Sequence, residues 1–597
     1  MFSIRYAIRP SRPEAHLFEA RCTVSRPDPD GQRFFLPTWI PGSYMIREFA
    51  RHIVSIRAEA GGRQIAIQKR DKQTWQAAAV PEGAALTVIY EVYAWDLSVR
   101  AAHLDQTHGF FNGTSVFLAA EGQTNTPCLV EIQPPALPCG QGWRVATTLP
   151  CAKGEAGAAR AWGFGLYRAD DYFDLIDHPV EMGEFSLGHF EAGGARHSVA
   201  ISGRHDCDME RLCADLARIC QRHIDLFGAP PPMRHYLFLM RAVDEGYGGL
   251  EHRASTALIV RRDHLPHRGM KEASDGYMAC LGLCSHEYFH LWNVKRIRPA
   301  VFDPPDFSRE NHTRLLWAFE GFTSYYDDLA LVRSGAIGMG GYLGLLGKTI
   351  SSVLQAPGRF RQSVGQSSFD AWTHYYRQDE NSPNTIVSYY TKGALIALAL
   401  DLRLRLDSAG ARGLDDVMRA LWRRYGLTGE GVPEEGVFDA VMDIGGSKLA
   451  RWLRKVAEGT DDLPLAKWLK PFGVRCQIEA ARAALSLGIR LEKGKAARIA
   501  TAYDGGAAQK AGLSAGDTLI ALDSLRVDAD SLPKMLERRR SGEQVEIHAF
   551  RRDELMRFEL ELAPAPLDTA KLSLDTKPGK AAKVLRDGWL GNAVEKC

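Results

Sequence analysis

The segment His286-Glu287-Tyr288-Phe289-His290 sets two imidazoles four residues apart. On a helix that spacing puts both on one face, where both can reach one metal ion. Glu287 points toward the same cleft but off the ligand axis, where a carboxylate can handle a metal-bound water. Thirty residues beyond His290, Glu320 stands in the helix-like run Leu316-Trp317-Ala318-Phe319-Glu320-Gly321-Phe322. Two histidines, one carboxylate and an open fourth position are the ligand set of a hydrolytic zinc centre. The pattern implies one Zn2+ per chain and the chemistry of a zinc peptidase.

These groups need a helix to hold them. Ser274 and Asp275 are capping candidates at its start. Tyr277, Leu281, Cys284, Tyr288 and Leu291 then recur at 4-3-4-3 spacing, an apolar stripe from which His286 and His290 are offset. One face should pack while another looks into a cleft. Gly321 leaves room for a second helix close to Glu320, and Gly335 is a stop signal for the Glu320 helix. Ser324 and Asp327 lie on the Glu320 face and suit a ligand-orienting role, with surface hydration the alternative for Asp327. Cys284 reads as a buried stripe cysteine, with a nucleophile as the alternative.

The 597 residues are 45% hydrophobic and 24% charged, with a formal net charge of +2. That composition suits a soluble chain of several domains and excludes a strongly basic nucleic-acid surface. No eighteen apolar residues run together, so no membrane span is expected. Residues 1–10 alternate like a strand and lack the apolar core of a signal peptide. Eleven cysteines without paired spacing favour reduced thiols and a cytoplasmic location. Asn112-Gly113-Thr114 fits a glycosylation sequon and is read as chance.

The expected fold is multidomain α+β. Residues 1–172 read as a sandwich-like β domain, with alternating runs such as 86–93 broken by turn residues. Residues 173–473 read as a mainly helical catalytic domain entered through mixed α/β, with a helix at 209–227 and a strand at 235–240. Residues 474–565 form a small β-rich domain, with strands at 484–491, 545–551 and 555–562 and a helix at 531–540. The order resembles a PDZ domain, which implies that Leu487, Gly488 and Ile489 offer backbone N–H groups to a peptide carboxylate. The alternative is a brace that binds no free peptide. Residues 566–597 read as a surface tail.

Leu36-Pro37-Thr38-Trp39-Ile40-Pro41-Gly42-Ser43-Tyr44, Asp177-His178-Pro179-Val180-Glu181-Met182-Gly183, 286–299, 317–326 and 388–393 together resemble the M61 glycyl aminopeptidases. That family shares a thermolysin-like catalytic domain with the M1 zinc aminopeptidases and carries a C-terminal PDZ-like domain. The resemblance implies removal of small N-terminal residues, Gly or Ala, from peptides with a free N-terminus. Tyr390-Thr391-Lys392-Gly393 is similar to the M1 Tyr-x-Lys-Gly segment, which implies that Tyr390 donates to the oxyanion, with Tyr389 its competitor. Tyr247-Gly248-Gly249-Leu250-Glu251-His252 resembles the M1 Gly-x-Met-Glu-Asn segment. It implies Glu251 as the holder of the substrate amine, with Gly248 and Gly249 lining the substrate. Leu250 and His252 depart from that pattern.

Three readings are left. The first is the aminopeptidase, and the second keeps the zinc site in an endopeptidase or other hydrolase. The third makes the PDZ-like domain the working part of a peptide-binding protein. Lys295, Arg296 and Arg298 are read as partners of structural acids rather than of a substrate carboxylate.

Overall fold

The computed structural model describes residues 4–136, 140–480 and 485–591. Residues 1–3 of the expected first strand, Ala484 of the expected strand at 484–491 and residues 592–597 of the expected tail lie outside them. The chain forms two compact units. One comprises Met1–Asn311, Arg333–Ile337 and Trp422–Gly431, the other His312–Val332, Gly338–Leu421 and Val432–Cys597.

The first unit begins with sheets. The alternating run 86–93 becomes the strand Leu86–Tyr93, central in a seven-stranded sheet between Leu17–Val24 and Ile53–Ala60. A separate four-stranded sheet has the order Arg144–Ala146, Val180–Gly183, His108–Phe111, Ala102–Leu104. Because Val180–Gly183 pairs with His108–Phe111, the N-terminal sheets run beyond the expected boundary at 172. Asn112 is fully buried and donates from Nδ2 to the Val99 carbonyl at 2.8 Å, which leaves no room for a glycan.

A five-stranded mixed sheet follows, ordered Phe185–Ala192, Ala195–Ser202, His235–Val243, Ser255–Arg261, Gly248–Glu251. The hairpin return makes Gly248–Glu251 an edge strand, paired on one side only with Ser255–Arg261. The helix Met209–Phe227 packs on this layer, as does Asp275–Phe289, which carries His286 and Glu287. Ser274 caps the latter by accepting from the Tyr277 N–H at 3.1 Å, a contact of about 1 kcal/mol. All five stripe residues are buried, but so are Leu283, Ser285, Glu287 and Phe289. The helix is therefore enclosed on more sides than the stripe implied.

The second unit is mainly helical to about 470. Leu316–Arg333 and Thr391–Asp407 meet at Gly321 and Gly393. A Cβ on Gly321 would lie 2.5 Å from Gly393 Cα, and one on Gly393 would lie 2.6 Å from the Trp317 carbonyl oxygen. Only paired glycines let these backbones touch. Leu316–Arg333 stops just before Gly335, which has φ +70°.

A β-rich module follows around its own core of Ile499, Leu519, Ile547, Leu560 and Phe558. The expected strand at 484–491 is broken into Leu485–Ser486 and Ile489–Leu491. Gly488, at φ +71°, turns the chain there, and any Cβ on it would meet Gly506 Cα at 2.7 Å. The surface-tail expectation is corrected. Leu567–Leu574 pairs antiparallel with Val474–Ala480, and Lys580–Leu590 is a helix that buries Trp589 completely. Trp589 Nε1 donates to Tyr325 OH at 2.9 Å. Its indole supplies the anchor that the Ala- and Lys-rich composition hid.

Candidate active site

In the first unit, His286 and His290 project from successive turns, their ring centroids 4.7 Å apart and edge to face. His290 is the helix C-cap. Its Nδ1–H donates to the Asn293 carbonyl at 2.7 Å, which fixes the tautomer and leaves Nε2 as the basic nitrogen. That is how a metal-binding histidine is oriented, and the donor chemistry fits a divalent transition metal.

Glu287 is buried beside the edge strand. A Cβ on Gly249 would lie 2.0 Å from Glu287 Oε1, so the strand backbone presses directly on the carboxylate. Donor atoms of Glu251, Glu287 and His290 all lie within 4.8 Å of one another. Two buried carboxylates this close create a field that attracts cations. Glu251 is only 3% exposed, and its Oε1 makes no hydrogen bond. Its other face is pressed by the turn at Gly42, where a Cβ would sit 2.4 Å from Glu251 Oε2 and φ is +89°. A cavity of about 360 Å³ adjoins Glu251, walled by Trp39, Tyr44, Phe302 and Phe307.

Asp177 braces this cavity. It accepts from Lys295 Nζ at 2.8 Å and from His252 Nδ1 at 3.0 Å. Burial pushes its carboxyl up, but Lys295 and His252 together hold it well below the usual carboxylate range. Burial in turn pulls His252 down, against the pull of Asp177. Arg296 donates to the carbonyls of Leu291, Pro232 and Arg253, and Arg298 pairs with Asp303. Lys295 and Arg298 thus pair with structural acids, as the sequence suggested, whereas Arg296 is held by backbone carbonyls instead of an acid. The hydrogen bond to Cys280, together with burial, pushes the Cys284 thiol far up, which suits packing and not nucleophilic attack.

In the second unit, Glu320 lies buried on Leu316–Arg333. Tyr390 precedes the helix Thr391–Asp407 as its N-cap. Tyr389 is fully buried while Tyr390 keeps part of its surface open. Its hydroxyl lies 3.0 Å from that of Tyr376, and its ring stacks on Tyr375. Burial raises the Tyr375 pKa, the Glu320 charge raises it further, and a hydrogen bond to Ser388 opposes both. Lys392 is buried, with Nζ 3.4 Å from the Arg359 and Thr460 carbonyls, a structural role for the lysine of this segment.

Gly42, Asp177, Tyr375 and Tyr376 were given no role by the sequence. Pro41-Gly42 announces a turn, but not the carboxylate against which it packs. Tyr375 and Tyr376 sit in and just after a π-helical turn, Ala371–Tyr375, a feature that often marks functional sites and has no sequence signature of its own.

The M61 peptidase N-terminal domain family matches residues 5–184, and the M61 glycyl aminopeptidase family matches residues 279–396. The crystal structure of an aminopeptidase N family protein from Idiomarina loihiensis is 41% identical, with a TM-score of 0.93, over 98% of this chain and 100% of that one. An M1 zinc metallopeptidase mutant from Deinococcus radiodurans, bound to a Tyr-Ser-Ala substrate, is 14% identical with a TM-score of 0.48, over 77% of this chain and 94% of that one. No curated protein sequence matches significantly. No helix among the described residues is long and apolar enough to cross a membrane. On the matched domains and the full-length 41% identity, the chain belongs to the M61 glycyl aminopeptidase family and is a metallopeptidase.

Proposed function

We propose that this chain is a zinc aminopeptidase that releases small N-terminal residues, Gly or Ala, from peptides. His286 and His290 hold the metal through one ring nitrogen each, and Glu320 is assigned as the third ligand. Zinc, when bound, supplies Lewis acidity that polarises the scissile carbonyl and acidifies water. Glu287 takes the proton of the attacking water and returns it to the leaving amine. Tyr390 donates to the oxyanion as it forms. Gly248 and Gly249 belong to an edge strand, along which a substrate backbone can lie as an added strand.

The observation that carries the aminopeptidase reading is Glu251. Its buried carboxylate has an oxygen without a hydrogen bond, and one of its carboxylate oxygens lies within 4.8 Å of ligand atoms of Glu287 and His290. A buried acceptor left unsatisfied costs about 1–3 kcal/mol, and a substrate α-ammonium would satisfy it with a charge-assisted bond. The preference for Gly or Ala rests on the family.

The test compares glycyl amides with free and N-acetylated termini. Wild type should strongly prefer the free amine, and Glu251→Gln should raise KM and lose much of that preference. If Glu251→Gln keeps the preference, the amine is held elsewhere. Efficient cleavage of the acetylated substrate by wild type would favour the endopeptidase reading.

For the PDZ-like module, the geometry favours a brace over a carboxylate-binding loop at Leu487, Gly488 and Ile489. The Gly488 N–H already donates to Ser486 Oγ at 2.9 Å, and the Leu487 and Gly488 carbonyls accept from Ala508 and Tyr503. The module is tied to the helical part of its unit by Arg361–Asp504 at 2.7 Å and by Asn384, whose Nδ2 donates to the Ala502 carbonyl and whose Oδ1 accepts from the Asp504 N–H. The cysteines among the described residues are free thiols, which supports a cytoplasmic location.

A further inference from the structure

A second cluster of metal-binding side chains lies in the N-terminal part of the first unit. His103 is on the strand Ala102–Leu104, His108 opens the strand His108–Phe111, and Asp105 is in the turn between them. Ligand atoms of these three residues all lie within 4.8 Å of one another. Glu181 joins from Val180–Gly183. In the ladder, His103 and Glu181 both stand opposite Phe110, two residues from His108. Because side chains alternate along a strand, all three share one face of the sheet. We propose that His103, Asp105, His108 and Glu181 form a second site for a divalent transition metal, with Zn2+ as its first candidate occupant.

The geometry separates the His108–Glu181 contact from an ordinary ion pair. His108 Nδ1 lies 3.3 Å from Glu181 Oε1, yet neither ring nitrogen of His108 nor Glu181 Oε1 makes a hydrogen bond. His108 is 1% exposed and Glu181 5%, so both are shut off from bulk water. Leaving several such groups unsatisfied in a buried site carries a substantial penalty. A proton shared between His108 and Glu181 would be a hydrogen bond, and that geometry is missing. Two ligands sharing one tetrahedral zinc at bonds of about 2.0–2.2 Å stand about 3.3–3.6 Å apart. His103 Nε2 also lies 3.3 Å from Asp105 Oδ2, a hydrogen bond that a bound ion would replace, while His103 Nδ1 makes none.

The surroundings hold these groups in place. Asp105 Oδ1 accepts from the Thr107 N–H and hydroxyl at 2.6 Å and the His108 N–H at 3.0 Å, which aims Oδ2 at His103. Burial works against that carboxylate, but these bonds and His103 keep it ionised. Gly183, at φ +148°, makes way for His108, since a Cβ there would lie 3.0 Å from the histidine Cβ. Two imidazoles and two carboxylates suit zinc and its first-row neighbours better than calcium or magnesium. The bound ion would tie the hairpin to the strand that follows Asp177, so the role is structural.

The test is a Zn2+ titration of the metal-stripped full chain, followed by elemental analysis after gel filtration. His108→Gln should bind one equivalent fewer than wild type and keep its peptidase rate. That difference does not depend on the catalytic centre. If the catalytic assignment failed, wild type would hold one equivalent and His108→Gln none. Glu181→Gln repeats the measurement with a smaller change. Wild-type crystals grown with Zn2+ give a readout free of any variant: an anomalous peak between His103, Asp105 and His108. Equal zinc in wild type and variants, or no peak at this cluster, would overturn the proposal.

Discussion

Gly249→Ala isolates the contact between the edge strand and the proposed base. The added methyl would start 2.0 Å from Glu287 Oε1, and an ordinary contact begins at 3.4 Å, so the carboxylate must retreat by about 1.4 Å. Glu287 Cδ and Cγ would lie 2.4 and 2.6 Å from the same methyl, so the side chain from Cγ outward must swing aside as a unit. A glycine inside a strand costs about 0.5–1 kcal/mol relative to alanine, and its removal should leave Tm equal or higher. Catalysis should not tolerate it. Misplacing a reacting group by about 1 Å costs on the order of 100-fold, or about 2.7 kcal/mol of barrier. Gly248→Ala is the control, because the nearest atoms to its new methyl, Arg100 Nη1 and Val99 Cγ2, lie at 3.6 and 4.0 Å. The assay is steady-state hydrolysis of glycyl and alanyl amides with metal content and thermal unfolding measured on the same samples. The expected result is a folded, metal-replete Gly249→Ala enzyme with kcat down about 100-fold beside a Gly248→Ala with near-normal kcat, any effect of its substrate-lining position being confined to KM. If Gly249→Ala kept kcat within about threefold of wild type, Glu287 could not be the base acting from this position.

Glu287→Gln should keep its metal and lose about 10²–10⁴-fold in kcat; wild-type turnover in a metal-replete sample rejects the assignment. Glu320→Ala should lose zinc under a chelator that leaves wild type loaded, and equal retention would point to another third ligand. Tyr390→Phe should lower kcat by about 100–1,000-fold with little change in KM, whereas Tyr389→Phe, at a fully buried phenol, should not. Lys295→Met removes one of the two partners of Asp177, leaving His252, and should cost about 1.5–3 kcal/mol at neutral pH by denaturant titration. The sign in pH follows from the lowered Asp177 pKa. The pair contributes fully above the ordinary carboxylate value of about 3.9 and fades as pH falls through the lower folded value. The gap between wild type and Lys295→Met should therefore close in acid, and a gap that widened there would reject the pairing.

The ligand helix was legible because its signals are local. A capping serine, a 4-3-4-3 stripe and two histidines one turn apart all lie within some seventeen residues. The same holds for the helix at 209–227, which the structure forms as Met209–Phe227. Signals spread over distance were lost. The strand Leu567–Leu574 is defined by a partner about a hundred residues earlier, Val474–Ala480, and its own composition reads as tail. The break at Gly488 has the same origin, because what forbids a straight strand there is Gly506, outside any local window.

Both proposed acids of the first unit are pressed by glycine backbone. Gly249 lies on Glu287 and Gly42 on Glu251. A side chain at either glycine would fill the space in which the carboxylate sits, and its methyl would displace the acid before it displaced the backbone. Backbone packed this closely limits how a carboxylate can rotate, and it keeps bulk water from one side. Both effects serve a charged group that must be aimed and only partly hydrated. The paired glycines Gly321 and Gly393 act one level up, setting the distance between the helix that carries Glu320 and the helix that Tyr390 caps. Sequence alone shows each glycine as a turn or a gap in helix propensity. Its function is a property of the partner it touches. An alanine at Gly42 should for this reason disturb amine selection, while an alanine at Gly249 disturbs turnover, although the two contacts are of one kind.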